Sequence, residues 1–214
     1  WRGEEKPDTL LEDLKREADR AARAATLAEL LGIEGAAAAL YFGAFNAVIK
    51  REGDAASFAF DFQKRNRRPP TDPVNALLSY AYSLLVRTWT VTLSAVGFDP
   101  YRGFYHQPRY GRPALALDMM EPFRPLLADS TVLTAINNGE IGPADFVAAA
   151  GSVNLTNDAR KRFIETFERR MSQEITHPVF EYKLSYRRLL ELHARLFGRF
   201  LLGEIDSVPV FTTR

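Results

Sequence analysis

Apolar residues recur along this chain at three- and four-residue intervals, the spacing of one face of a helix. From Thr9 to Leu31 they fall at Leu10, Leu11, Leu14, Ala18, Ala21, Ala22, Ala25 and Leu27, with charged residues between them. Gly32 is a weak point for that helix, and a second helix is expected from about Ile33 to Lys50. A polar stretch from Glu52 to Asp72 follows, where Pro69, Pro70 and Pro73 forbid a continuing helix. A long apolar helix is expected from Val74 to Val96, ending at Gly97. Phe98 to Arg112 reads as an aromatic loop punctuated by Gly and Pro, with helix resuming at Pro113. A short helix is expected from Thr131 to Asn138 and a turn from Pro143 to Ala150. Asn157 to Gln173 and Tyr182 to Leu202 read as amphipathic helices, the second with Leu189, Leu190, Leu192, Leu196, Phe197 and Phe200 inward. Alternation of apolar and polar residues is nearly absent, Val208 to Thr212 is the only extended candidate, and no internal repeat occurs. The expectation is an all-α fold, a single helical domain over 1–214 with a leading helix over 1–31 and an extended tail over 203–214.

With 46% hydrophobic and 26% charged residues in 214, the composition is that of a globular protein, which excludes collagen-like, disordered and low-complexity classes. The longest apolar run, Gly35 to Phe45, is shorter than the ~20 residues a membrane crossing needs, so no membrane partner is expected. No export signal opens the chain, and a cytoplasmic location is expected. The absence of cysteine removes disulfide scaffolds, thiolate zinc sites and thiol nucleophiles. Because the chain begins at Trp1 rather than Met, it reads as a piece of something longer. Its net charge of +1 exerts no global pull on nucleic acid. The distribution is more informative: 22 arginines stand against 6 lysines, clustered at Arg65, Arg67 and Arg68 and at Arg102, Arg109 and Arg112. A GC-rich genome explains the overall bias equally well, but clustering is a separate signal, because forked guanidiniums grip phosphate oxygens in pairs.

Chemistry is expected where a charge interrupts sequence that otherwise belongs in a core, because a carboxylate there must be paired, protonated or bound to metal. Glu34 precedes the uncharged run GAAAALYFGAF and reads either as a first-turn acid favoured by the helix dipole or as a buried ligand. Asp118 and Glu121 interrupt GRPALALDMMEPFRP, and their spacing puts both on one helix face. Like charges there repel unless a cation lies between them or one is protonated, and Pro122 predicts a kink just beyond. His106 lies among aromatics and arginines in GFYHQPRYGR and, as a lone loop histidine, reads as structural more readily than as a ligand; His177 and His193 also read as structural. Together Glu34, His106, Asp118 and Glu121 form a carboxylate-rich set with one imidazole, suited to Mg²⁺ or Mn²⁺ rather than structural zinc. Arg102, Arg109, Arg112 and Arg124 flank the set, as a site for metal plus phosphate requires. Tyr101, Phe104, Tyr105 and Tyr110 read equally as stacking platforms for bases and as core beneath a loop. No phosphate-binding glycine loop, HExxH or GxSxG motif is present.

Three blocks, EGAAAALYFGAF, RNRRPPTDPVNALLSYAYSLL and GFDPYRGFYHQPRYGRPALALDMMEPFRP, resemble in content and order the catalytic domain of the CRISPR-associated integrase family Cas1, over about Leu27 to Thr212. The resemblance implies that Glu34, His106 and Glu121 hold Mg²⁺ or Mn²⁺, with Asp118 orienting ligands or a second ion. It also implies that Arg109 and Arg124 hold the scissile phosphate or a DNA overhang, with Arg67, Arg68, Arg102 and Arg112 as further nucleic-acid contacts. Asn66, Arg67, Arg68 and Asn75 match a connecting motif before the long helix, while Pro122 stands where many members carry another acid. The family's N-terminal β-rich domain is absent upstream of Trp1, and the arginine-rich loop resembles members fused to Cas4 or to a reverse transcriptase. The implied activity is integration of new spacers. A pair of homodimers bridged by a Cas2 dimer holds double-stranded DNA with 3′ overhangs, and each 3′-hydroxyl attacks a repeat-boundary phosphodiester of CRISPR repeat DNA. Endonuclease activity follows when water replaces the hydroxyl. The alternatives are a non-catalytic DNA-binding or assembly module of the same complex, and a metal-dependent nuclease outside adaptation.

Overall fold

In a computed structural model, which describes residues 8–49, 60–66, 68–209 and 211–212, the first helix breaks earlier than its periodicity predicts. Helix α1 (Asp8–Ala21) stops because Thr26 takes the N-cap of α2 (Leu27–Gly43). The Thr26 side chain accepts the Glu29 N–H at 3.2 Å, and the Glu29 carboxylate accepts the Ala25 N–H at 3.0 Å. This variant of the capping box satisfies amides that a helix start leaves open. Helix α2 runs straight through Gly32, where the expected break would recover only about 1 kcal/mol of glycine propensity. The leading helix expected over 1–31 is therefore two helices, and the second begins at Leu27 rather than Ile33. It ends at Gly43 and passes into a 3₁₀ turn (Phe45–Val48); Lys50 lies outside the described residues.

The described chain divides into two compact units, Trp1–Leu77 with Ile136–Ala159, and Leu78–Ala135 with Arg160–Arg214. In the first unit α1 and α2 pack together, and Phe42, Phe45 and Phe62 form a buried cluster with ring centroids 5.4 to 5.9 Å apart. The irregular segment before the long helix is tied by Asn75, which is fully buried. Its side-chain carbonyl accepts the Asn66 N–H at 2.9 Å and Arg65 at 2.6 Å, and its amide donates to Lys64 O and to Asp72. Asp72 in turn caps the long helix by accepting the Asn75 N–H at 2.8 Å.

Two hairpins appear where no strand was expected. In the first unit β1 (Phe146–Ala149) pairs antiparallel with β2 (Ser152–Leu155), following a 3₁₀ turn at Pro143–Asp145. Ala150 and Gly151 join them with φ of 49° and 75°, the two positive values of a type I′ turn. Strands of four residues are too short to reveal alternation, and Ala-Gly lacks the usual Asn-Gly signature.

The second unit is built on α3 (Pro73–Val96) from Leu78 onward, where Ala81, Leu85, Trp89 and Leu93 are fully buried along one i, i+4 row. Against it lies a broken helical run: α4 (Ala114–Met120), a 3₁₀ turn (Glu121–Phe123), a π turn (Arg124–Asp129) and α5 (Ser130–Asn137). Trp89 meets Phe123 at 5.5 Å. Then come α6 (Asn157–Ser172), the hairpin β3 (Glu174–Thr176) with β4 (Lys183–Ser185), and α7 (Tyr186–Leu201). Helix α7 starts four residues later than its periodicity predicts because Ser185 caps it, accepting the Arg188 N–H at 3.3 Å. Its buried face holds Leu189, Leu190, His193 and Leu196, whereas Phe200, expected inward, is exposed. The tail expected to be extended forms turns at 202–206, and 207–209 carry no strand. Helices nevertheless dominate, and the all-α class holds. No helix among the described residues is long and apolar enough to cross a membrane.

Candidate functional site

Glu34 lies about two turns into α2, so the first-turn dipole reading does not apply to it. It is half-buried in the first unit, and a Cβ added at Gly32, Gly35 or Gly43 on the same helix would meet open space. Nothing among the described residues covers the helix at these three positions.

In the second unit, the loop between α3 and α4 is shaped by one carboxylate. Asp118 Oδ2 accepts the N–H groups of Phe104 and Tyr105 at 2.6 and 3.0 Å. Oδ1 accepts the His106 N–H at 2.8 Å and lies 2.7 Å from His106 Nδ1. A carboxylate oxygen that takes a hydrogen bond only accepts, so Nδ1 carries the hydrogen facing Asp118, and in the neutral tautomer Nε2 is the nitrogen with the lone pair. No partner for Nε2 occurs among the described residues. The His106 and Asp118 side chains are 17% and 12% exposed, so the pair is held rigidly yet reaches solvent. Gly103 permits this geometry: a Cβ there would stand 2.7 Å from Ala114 Cβ and 2.8 Å from both Ala114 C and His106 O. Leu115 N–H, bonded to Pro100 O at 2.9 Å, ties the other end of the loop to α4.

Glu121 follows one turn later, where the Glu121 N–H reaches Asp118 O and the helix tightens to 3₁₀. Pro122 lacks an amide, so the predicted break occurs here, and a π turn follows. A 3₁₀ step eclipses residues three apart, which keeps Asp118 and Glu121 on one side of the chain. Arg124 Nη1 donates to Glu121 Oε2 at 2.5 Å, and the guanidinium lies 4.5 Å from the centre of the Tyr82 ring. Tyr82 donates its O–H to Asp129 Oδ1 at 2.7 Å, and Asp129 is buried. Burial, then the Asp129 charge, hold the Tyr82 hydroxyl well above the usual tyrosine range. Burial opposes the Arg124 charge, but Glu121 beside it and the Tyr82 oxygen outweigh that and bind its proton more tightly than usual.

Thus His106 and Asp118 are in contact, Glu121 is paired with Arg124, and Glu34 belongs to the other unit. Among the described residues no group of three His, Asp or Glu side chains is assembled around a common point. Of the expected nucleic-acid residues, Arg68, Arg102 and Arg109 are exposed, Arg112 is half-buried, and Arg67 lies outside the described residues. Tyr101, Phe104 and Tyr110 are exposed rather than core, although Phe104 rests edge-on against Phe197 at 5.7 Å. His177 and His193 are buried as expected of structural residues, and the Nε2 atom of each lacks a partner. Burial, then the charge of His177, push His193 down to about 4. Sequence reasoning did not single out Tyr82 or Asp129. Asp129 interrupts an apolar run just as Asp118 does and carried the same signal; Tyr82 carried none.

The family model described as CRISPR associated protein Cas1 matches residues 1–169. A Cas4 exonuclease/Cas1 endonuclease fusion from Geobacter sulfurreducens is 64% identical over all of this chain, which spans 39% of that relative's length. Among solved structures, a Cas1 protein from Thermotoga maritima matches with a TM-score of 0.79 and 27% identity, over 90% of this chain and 57% of the other. A partial Cas6-RT-Cas1–Cas2 complex matches with a TM-score of 0.78 and 29% identity, over 94% of this chain and 57% of that one. With Glu34, His106, Asp118 and Glu121 all inside the matched segment, the chain belongs to the Cas1 family of CRISPR-associated proteins.

Proposed function

We propose that this chain is the catalytic domain of a Mg²⁺- or Mn²⁺-dependent DNA integrase and endonuclease of CRISPR adaptation. The observation that carries the reading is the grip of Asp118 on the 104–106 loop, which fixes the His106 tautomer and leaves Nε2 as a ligand. A carboxylate holding the far nitrogen of an imidazole is the usual support of a metal-binding histidine. Glu121 adds a second donor: Arg124 occupies Oε2, and Oε1 has no partner among the described residues. The donor types that the family resemblance assigns, the carboxylates of Glu34 and Glu121 and the imidazole of His106, are those that a hard dication takes. When bound, such an ion polarises the phosphoryl group and stabilises the attacking and leaving oxygens.

The chain's own residues then have distinct parts. His106, Glu34 and Glu121 are ligands, and Asp118 positions His106 rather than ligating, because both its oxygens are occupied by loop donors. Exposed Arg109 and Arg102, beside Tyr110, meet the DNA backbone, and Arg68 does the same from the other unit. Arg124, half-buried against Glu121 and Tyr82, serves that carboxylate instead of the scissile phosphate expected for it. In the reaction, a 3′-hydroxyl oxygen forms a bond to phosphorus as the 3′ oxygen of the repeat-boundary strand leaves. The attacking hydroxyl loses a proton and the leaving oxygen gains one. The Geobacter relative's fusion and the Cas2 of the structural neighbour support Cas4 and Cas2 as partners, and the homodimer is what the family resemblance implies.

In the full-length protein with its partners, Glu34→Ala and His106→Ala abolish strand transfer while melting within a few degrees of wild type. Wild-type transfer by both variants would overturn the assignment. The alternative, a DNA-binding or assembly module without chemistry, is favoured by the exposed guanidiniums and predicts metal-independent binding unaffected by these two changes.

A further inference from the structure

Glu121 sits at a junction where Pro122 and Pro125 both lack amides, so the local backbone has few means of fixing its side chain. An isolated Arg–Glu pair three residues apart would not supply that constraint, since exposed pairs of this kind contribute little and wander. The Arg124 pair is different because it is anchored from behind. The Arg124 side chain is only 15% exposed, and its guanidinium lies 4.5 Å from the Tyr82 ring centre, where the π face attracts a cation. Tyr82 is tied by its O–H to Asp129, a carboxylate buried between Leu127, Ala128 and the start of α5. Burying a carboxylate among apolar neighbours is costly without partners, and the phenol is one that it has been given.

We propose that Asp129 and Tyr82 are positioning residues for Glu121, acting through Arg124. The two donors face opposite ends of the series: Arg124 donates to Glu121 Oε2, and Tyr82 donates to Asp129 Oδ1. Fixing Oε2 from the protein side leaves Oε1 directed away from Arg124, as a ligand must be. The proposal rests on the reading that Glu121 is a ligand.

The test uses the full-length protein and Mn²⁺ alone, titrated by electron paramagnetic resonance, counting only the site that Glu121→Gln removes. Tyr82→Phe keeps the ring under Arg124 and deletes the hydroxyl; Asp129→Asn keeps the shape and deletes the charge. Each raises the Mn²⁺ dissociation constant of that site about tenfold, with melting temperatures close to wild type. Strand transfer in each follows the metal: the Mn²⁺ concentration for half-maximal rate rises, while kcat at saturation stays near wild type. Unchanged Mn²⁺ affinity in the folded variants, with the site lost in Glu121→Gln, overturns the proposal. Should Asp129→Asn fail to fold, Tyr82→Phe alone decides. If Glu121→Gln itself keeps all Mn²⁺ sites, the ligand assignment fails, and the proposal with it.

Discussion

Asp118 and Asp129 lie on the same broken helical run, eleven residues apart in number, and bind different kinds of donor. Asp118 takes three backbone amides and one imidazole, so it dictates the path of the 104–106 loop as well as the direction of His106. Asp129 accepts the hydroxyl of Tyr82, a hydrogen bond that steers a side chain 47 residues away in the chain. A carboxylate that satisfies amides shapes a site; one that satisfies a hydroxyl adjusts a group already in place. The first kind of loss is large and structural, the second small and local.

The strongest way to break this contrast is Asp118→Ala. Three amides and an imidazole lose their acceptor together, and a stability loss of roughly 3–5 kcal/mol is expected, with strand transfer abolished. Urea unfolding and a strand-transfer assay on one preparation check it; an activity loss without destabilisation would show that the loop is held by something else. Next in size is Gly103→Ala, where the new Cβ meets backbone atoms at 2.8 Å that have no flexible end to move. A cost of about 1–3 kcal/mol is expected, with transfer reduced at least tenfold because the loop lifts from α4.

Acid gives a third probe, directed at the core beneath the site. His193 packs edge-on against Phe123 at 5.0 Å and titrates near 4 in the fold, against about 6.5 when unfolded. The unfolded chain therefore binds more protons between those values, so stability falls as pH drops from about 6.5 to about 4. The loss is on the order of 3 kcal/mol, and His193→Gln should flatten it in melting curves taken across that range. The smallest effect is expected from Arg109→Ala, whose exposed guanidinium touches no carboxylate among the described residues. Duplex affinity should weaken modestly, with the slope of log K against log salt lowered by roughly 0.9 if Arg109 meets one phosphate. An unchanged slope would remove Arg109 from the interface.

The order and lengths of the main helices were written in periodicity: α3, α5 and α6 lie within a residue or two of where their apolar spacing puts them. The charges at 34, 118 and 121 and the histidine at 106 stood out because each interrupts sequence that otherwise belongs in a core or an aromatic loop. Hairpins of three and four residues did not, since such strands are too brief to alternate visibly. The early break at Thr26 rests on two hydrogen bonds that outweigh an unbroken apolar pattern. Composition and spacing thus determined which residue types this protein could use and the helices that carry most of them. Only the tertiary structure decided their roles, because a carboxylate's function depends on which donors surround it. Asp118 became the support of a histidine and Asp129 the anchor of Tyr82 through contacts spanning 12 and 47 residues of chain, which no local pattern encodes, and the second of these stands behind the local pair of Arg124 with Glu121.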